Sequence, residues 1–163
     1  MARTPGDAKA HVVIPLHHED GWPPVGTERL WAVPLGEDFC RIDNPPWFVP
    51  DLAVGDVVRA ASPDPDSHPF FVELVQRSNH VTVRLVCFRA GPLEGDLARA
   101  LEPFTELGVY GEGVPNYGML ALDIEPSAPL DQIVSLLRHG SEFGWWEYEE
   151  GRITQAWIDA TGS

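Results

Sequence analysis

Four residues with metal-binding side chains stand in a row at His17-His18-Glu19-Asp20. On a strand alternate residues share a face, so His17 with Glu19, or His18 with Asp20, would present two ligands. Zinc takes three or four, at spacings of the Cys-x2-Cys or His-x3-His kind, and no such spacing occurs here. The segment reads as a solvated strand end. Cys87 with His80 or His68 is the candidate nucleophile pair. A thiol flanked by Val86 and Phe88 lacks the helix N-terminus or cationic neighbours that lower its pKa, so it reads as an inert core thiol. Glu147 and Glu149 share one strand face about 6–7 Å apart, near the carboxylate separation used in glycoside hydrolysis. No second strand rich in acids and aromatics accompanies them. His139, near a helix end, reads as a dipole partner. The sequence therefore assigns no catalytic residue, no metal and no cofactor.

Two other constellations remain. Tyr110, Tyr117 and Trp145 lie among glycines and acids, with Glu112, Glu142, Glu147, Glu149 and Glu150 nearby in sequence. Aromatics with a polar handle, ringed by carboxylates, suit a partner bearing Arg or Lys. Trp146 and Tyr148, on the opposite strand face, read as core. The second constellation is a pocket walled by Trp31, Trp47, Phe48 and Tyr117, with Asp43, Asn44 and His80 as its polar groups, between an N-terminal and a C-terminal half.

Charge narrows the partner. The chain has 163 residues and a formal net charge of −14, from 25 acidic and 11 basic side chains. Residues 91–163 hold 13 of those acids against three arginines. Such a field repels nucleic acid and anionic lipid and draws in cationic proteins. No apolar run approaches the roughly 18 residues of a membrane span, and the polar start does not resemble a signal peptide, so a soluble cytoplasmic protein is expected. Cys40 and Cys87 both lie in alternating apolar segments and read as core thiols of a reducing compartment.

The elements that must position these groups are short. Strands are expected at 11–16, 29–33, 39–43, 57–60, 70–75 and 81–88, with Pro15 marking the first as an edge strand and Ser78-Asn79-His80 as a tight hairpin. The period then changes. Leu93, Leu97, Leu101 and Phe104 predict a helix over 93–107 that Pro103 kinks or restarts. Strands follow at 109–114 and 119–124. A helix capped by Ser127, with Leu130, Ile133, Val134 and Leu137 as its stripe, ends at Gly140 or Gly144. A last strand covers 145–150. The fold class is α+β: a flexible tail over 1–10, a small β-barrel or roll over 11–79, a ferredoxin-like βαββαβ half over 80–151, and a C-terminal tail over 152–163.

The stretches Glu28-Arg29-Leu30-Trp31-Ala32, Arg41-Ile42-Asp43-Asn44-Pro45-Pro46-Trp47-Phe48, Leu52-Ala53-Val54-Gly55-Asp56-Val57-Val58 and Trp146-Glu147-Tyr148-Glu149-Glu150-Gly151 resemble a bacterial family, domain of unknown function 4265. The resemblance covers roughly residues 11–151 and implies a small, soluble, single-module protein, with no catalytic residue to carry across. The expected function is a non-catalytic acidic protein-binding module, such as an immunity or antitoxin-type inhibitor of a basic partner. The alternative is a small-molecule-binding protein or small enzyme using the pocket between the two halves.

Overall fold

The computed structural model describes residues 10–162, so the tail expected at 1–10 lies, apart from Ala10, outside the described residues. The chain divides between Ser78 and Asn79 into two compact units.

Alternation of apolar residues builds the first unit. The strands β1 (Ala10–Pro15), β2 (Thr27–Gly36), β3 (Phe39–Ile42), β4 (Val57–Ala61) and β5 (Phe70–Gln76) form a closed barrel in chain order. Val12, Ile14, Leu30, Ala32, Cys40, Ile42, Val58 and Ala60 point inward and, with Val49 and Leu52 from a connecting loop, fill it. Pro15 suggests an edge position for β1, and the barrel corrects this. Closure needs only the parallel pair Val13↔Phe70, with the Val13 N–H donating to the Pro69 carbonyl at 2.9 Å. Pro15 is the last residue of its strand and lies past that contact, so its missing donor costs nothing.

The expected hairpin at Ser78-Asn79-His80 is also corrected. β5 pairs with β4 and β1 and not with the strand that follows, and Asn79 does not adopt a positive φ. A buried carboxylate directs the chain instead. Asp56 accepts the N–H of Ser78 at 2.7 Å and of Ala53 at 3.1 Å, while the Ser78 hydroxyl donates to the Val54 carbonyl at 2.6 Å.

The second unit is mixed. It runs β6 (Val81–Cys87), α1 (Leu97–Glu106), β7 (Tyr110–Val114), β8 (Met119–Ile124), α2 (Leu130–Glu142), β9 (Trp146–Arg152) and α3 (Gln155–Thr161), with a 3-10 turn at Pro115–Tyr117. The sheet order is β7-β8-β6-β9, every neighbour antiparallel. One face of the sheet, carrying Val81, Val83, Leu85, Cys87, Leu120, Leu122, Ile124 and Trp146, packs against Ala100, Phe104, Ile133, Val134, Leu137 and Trp157 from the helices. No helix among the described residues is long and apolar enough to cross a membrane.

Helix boundaries follow capping chemistry more closely than apolar spacing. α1 starts later than the Leu93 stripe implies, because Asp96 accepts the N–H groups of Ala98 and Arg99 and fixes the N-cap. Leu93 still packs on the core from the preceding turn. The helix runs through Pro103 to Glu106. At α2 the cap position is held by Pro129 without a side-chain bond, and Ser127 turns instead towards Glu125. The expected tail after 152 contains α3. Thr154 caps it by accepting the Trp157 N–H at 3.3 Å, and the ordering is stabilised by Trp157, 1% exposed.

One close approach sets a strict requirement. The Trp146 indole is fully buried and donates to the Leu137 carbonyl at 3.1 Å, lying flat against Gly140. A Cβ at Gly140 would sit 2.2 Å from the ring. Gly140→Ala is expected to destabilise the fold by about 1–3 kcal/mol through overpacking, seen as a lowered thermal midpoint, while Ser141→Ala on the exposed side leaves it unchanged. An unaltered midpoint for Gly140→Ala contradicts this packing.

Candidate functional site

In the barrel, the residues read as a pocket wall are held by an acid that sequence reasoning left unassigned. Glu28 occupies an inward register of β2, two residues before Leu30 and four before Ala32, and is 6% exposed. A carboxylate there demands donors. The Trp47 N–H donates to its Oε2 at 2.6 Å, and the Phe48 and Val49 N–H groups donate to its Oε1 at 2.9 Å. Asn44 completes the anchor: its Oδ1 accepts the Trp31 N–H at 2.8 Å, while the Asp43 N–H donates to the Trp31 carbonyl at 2.8 Å. Trp31, Asp43, Asn44, Trp47 and Phe48 are thus brought together, chiefly by main-chain N–H groups donating to the Glu28 and Asn44 side chains. The rings of Trp31 and Phe48 meet different neighbours: Trp31 lies 3.9 Å from His11, and Phe48 lies edge-on to Trp22 at 5.5 Å. Burial and then the nearby His68 and Arg29 lower the His11 pKa, which keeps the ring neutral on the indole. A cleft of about 480 Å³ at the barrel is lined by Glu37, Asp38, Phe39 and Cys40, among others, and includes none of the expected pocket residues.

The metal-like run lies in a turn and not on a strand. Glu19 and Trp22 bond each other's main chains, and Asp20 and Gly21 both take positive φ between them. The strand alternation invoked for His17 and His18 therefore has no basis. No group of three or more His, Cys, Asp or Glu among the described residues is placed to hold a metal ion.

His80 belongs to the second unit, where its Nδ1 lies 2.7 Å from the Asp123 carboxylate. Arg152 donates to the His80 carbonyl at 3.2 Å. A His oriented by a buried carboxylate is half of a general-base arrangement. The nucleophile paired with it in sequence is not part of it, since Cys87 faces the helices while Asp123 lies across from Thr82 on the other face. Both cysteines are free and buried. Burial, and for Cys40 also Asp38, pushes their pKa values up, so both stay neutral thiols near neutral pH.

The aromatic–acidic set is divided by strand order. Residues on the helix-free face form rows across the sheet: Tyr110–Asp123–Thr82–Arg152, then Glu112–Ala121–Arg84–Glu149, then Val114–Met119–Val86–Glu147. Tyr110 donates to Glu112 at 2.7 Å on one edge. Glu147 and Glu149 lie on the opposite edge, about 14 Å away at ordinary strand spacing. Arg84, whose side chain is 8% exposed, donates to Glu149 at 2.7 Å. Tyr117 sits in the 3-10 turn. Trp145 packs against His139 at 4.9 Å, and Glu150, turned to the helix side, accepts the Trp157 indole N–H. Trp146 and Tyr148 pack into the core.

Another group of exposed carboxylates lies on the outer surface of the helices. Glu102 and Glu106 of α1, Asp131 and Glu142 of α2 and Asp159 of α3 are exposed, with Arg99 and Arg138 the exposed arginines on those helices. Of these acids the sequence singles out only Glu142, as a neighbour of the aromatic–acidic set. The available signal was the i, i+4 spacing of Glu102 and Glu106.

The Glu28 anchor makes a direct prediction. Glu28→Ala leaves three N–H groups without an acceptor and is expected to cost about 3 kcal/mol or more, read as a lowered urea midpoint. Glu28→Gln retains one acceptor oxygen and should fall between the two. A wild-type midpoint for Glu28→Ala would refute the anchor.

The comparisons with known proteins agree with this architecture. The crystal structure of a hypothetical protein from Neisseria gonorrhoeae matches 90% of this chain and 95% of its own, with a TM-score of 0.66 at 22% identity, a likeness of fold alone. No curated protein matches the chain. The family model described as Domain of unknown function (DUF4265) matches residues 28–148. That span begins at the carboxylate of the barrel anchor and continues into β9, and the chain belongs to the Domain of unknown function (DUF4265) family.

Proposed function

We propose that the protein is a non-catalytic binding module for a positively charged protein, in concrete form an immunity or antitoxin-type inhibitor of a basic partner in the bacterial cytoplasm. The observation that carries the reading is the acidic outer surface of the helices. Arg138, one of the two exposed arginines there, donates to the Thr161 carbonyl at 2.7 Å. Glu102 and Glu106 repel each other at i, i+4, and Glu106 occupies a last helical turn that has no basic residue. Both features oppose helix stability. Breaking two local rules at one site is the mark of a surface kept for something other than folding. A cationic partner supplies the missing compensation, and a negative field speeds its encounter while rejecting nucleic acid and anionic lipid. Two buried, free thiols suit a reducing compartment.

For the second unit we infer the ferredoxin-like arrangement. Its support is the antiparallel order β7-β8-β6-β9 with α1 and α2 as the two crossovers.

Glu106→Lys separates function from folding. It converts a repulsive pair into a favourable Glu102–Lys pair and is expected to raise stability by a few tenths of a kcal/mol. The same change should weaken capture of a cationic protein several-fold in a low-salt pull-down, and roughly 0.5 M salt should release it from the wild type. Recovery of no cationic protein at low salt, or capture indifferent to both salt and Glu106→Lys, overturns the reading.

A further inference from the structure

Resting on the cationic partner of that reading, we propose that an extended segment of the partner adds as a strand to the outer edge of β9, between Glu147 and Gly151. Among the described residues β9 pairs with β6 alone. Two bonds at one end set the direction of its main chain: the Cys87 N–H donates to the Gly118 carbonyl, and the Phe88 N–H donates to the Trp145 carbonyl. Antiparallel alternation then turns the polar backbone groups of Trp145, Glu147 and Glu149 towards β6, and those of Trp146, Tyr148 and Glu150 away from it, up to the register shift between Glu150 and Arg152. Trp146 is wholly buried, which closes that end. Tyr148 and Glu150 are left to pair with an incoming strand.

The side chains along this edge choose the occupant. β9 has no proline and no lysine, two devices that ordinarily blunt an edge. Its guard is Glu147, Glu149 and Glu150, all exposed. A second copy pairing edge to edge would set these carboxylates against their own kind, which like charges across a ladder oppose. A strand with Lys or Arg at alternate positions instead meets Glu147 and Glu149 on one face. Arg84 steadies Glu149 but leaves that side chain 67% exposed. The other edge, β7, has five residues, of which two are glycines, and one carboxylate, so it offers a weaker template. Main-chain bonds would then supply affinity and the alternating charges specificity, the division of labour of strand addition.

The test uses the full chain and two synthetic probes: an acetylated, amidated peptide of four Lys-Val repeats, and the same peptide N-methylated throughout, which keeps its charge and loses its donors. The unmethylated peptide is expected to bind at least about tenfold more tightly at low salt. It should also slow hydrogen exchange at the Tyr148 amide while leaving the Glu149 amide, already turned to β6, unchanged. Equal binding of the two peptides overturns strand addition and leaves cation docking standing. So does capture of a folded cationic protein when neither peptide binds. A native mass showing self-association through this edge overturns it as well. Failure of every cationic probe removes the underlying reading with it.

Discussion

A carboxylate leaves water only where donors meet it, and that constraint organises this acidic chain. Of 25 acidic residues, Glu28, Asp56 and Asp123 are buried among the described ones. Glu28 and Asp56 are met by main-chain N–H groups and Asp123 by His80. These acids do structural work: Glu28 fixes the loop after β3, Asp56 fixes the chain beyond β5, and Asp123 ties His80 to β8. Burial without such partners would cost several kcal/mol for each charge. The remaining described carboxylates therefore stay at least partly in water, and the fold decides where they collect.

In the second unit one group of them, Glu102, Glu106, Asp131, Glu142 and Asp159, lies on the helices that cover the sheet. An amphipathic helix must turn its polar face outward, and on α1, α2 and α3 that face carries five acids against Arg99 and Arg138. On the helix-free side the acids are interleaved with Arg84 and Arg152, so that side is closer to balanced. The helical surface and the β9 edge thus carry different parts of one electrostatic account. In the proposed docking the helices would supply long-range attraction, and β9 main-chain groups at short range.

Much of this architecture was legible in the sequence because it depends on local periodicity. The two-residue alternation from Leu30 to Ala32, and the stripe Leu130, Ile133, Val134 and Leu137, report buried faces directly. What was not legible depends on contacts remote in sequence. Asn79 suits a tight turn, but Asp56, twenty-three positions earlier in the sequence, holds Ser78 and overrides it. Pro15 suits an edge, but Val13 closes the barrel beside it. The aromatic–acidic set was assembled from neighbours along the chain, and two intervening strands separate Tyr110 and Glu112 from Glu147 and Glu149. α3 is short, and its signal was a single Trp157 behind a Thr cap. Glu28 could have been found: an acid in phase with Leu30 and Ala32 is a buried acid in need of donors.

The potential at the surface can be measured residue by residue. Relaxation enhancement of backbone and methyl signals by a cationic nitroxide, divided by that from an anionic nitroxide of the same size, reports local potential directly. The highest ratios are expected along the exposed faces of α1, α2 and α3, with an intermediate ratio at β9 and low ratios near Arg84. A ratio uniform over residues 10–162 would contradict this expectation, because the surplus of negative charge would then form no surface that a partner could recognise.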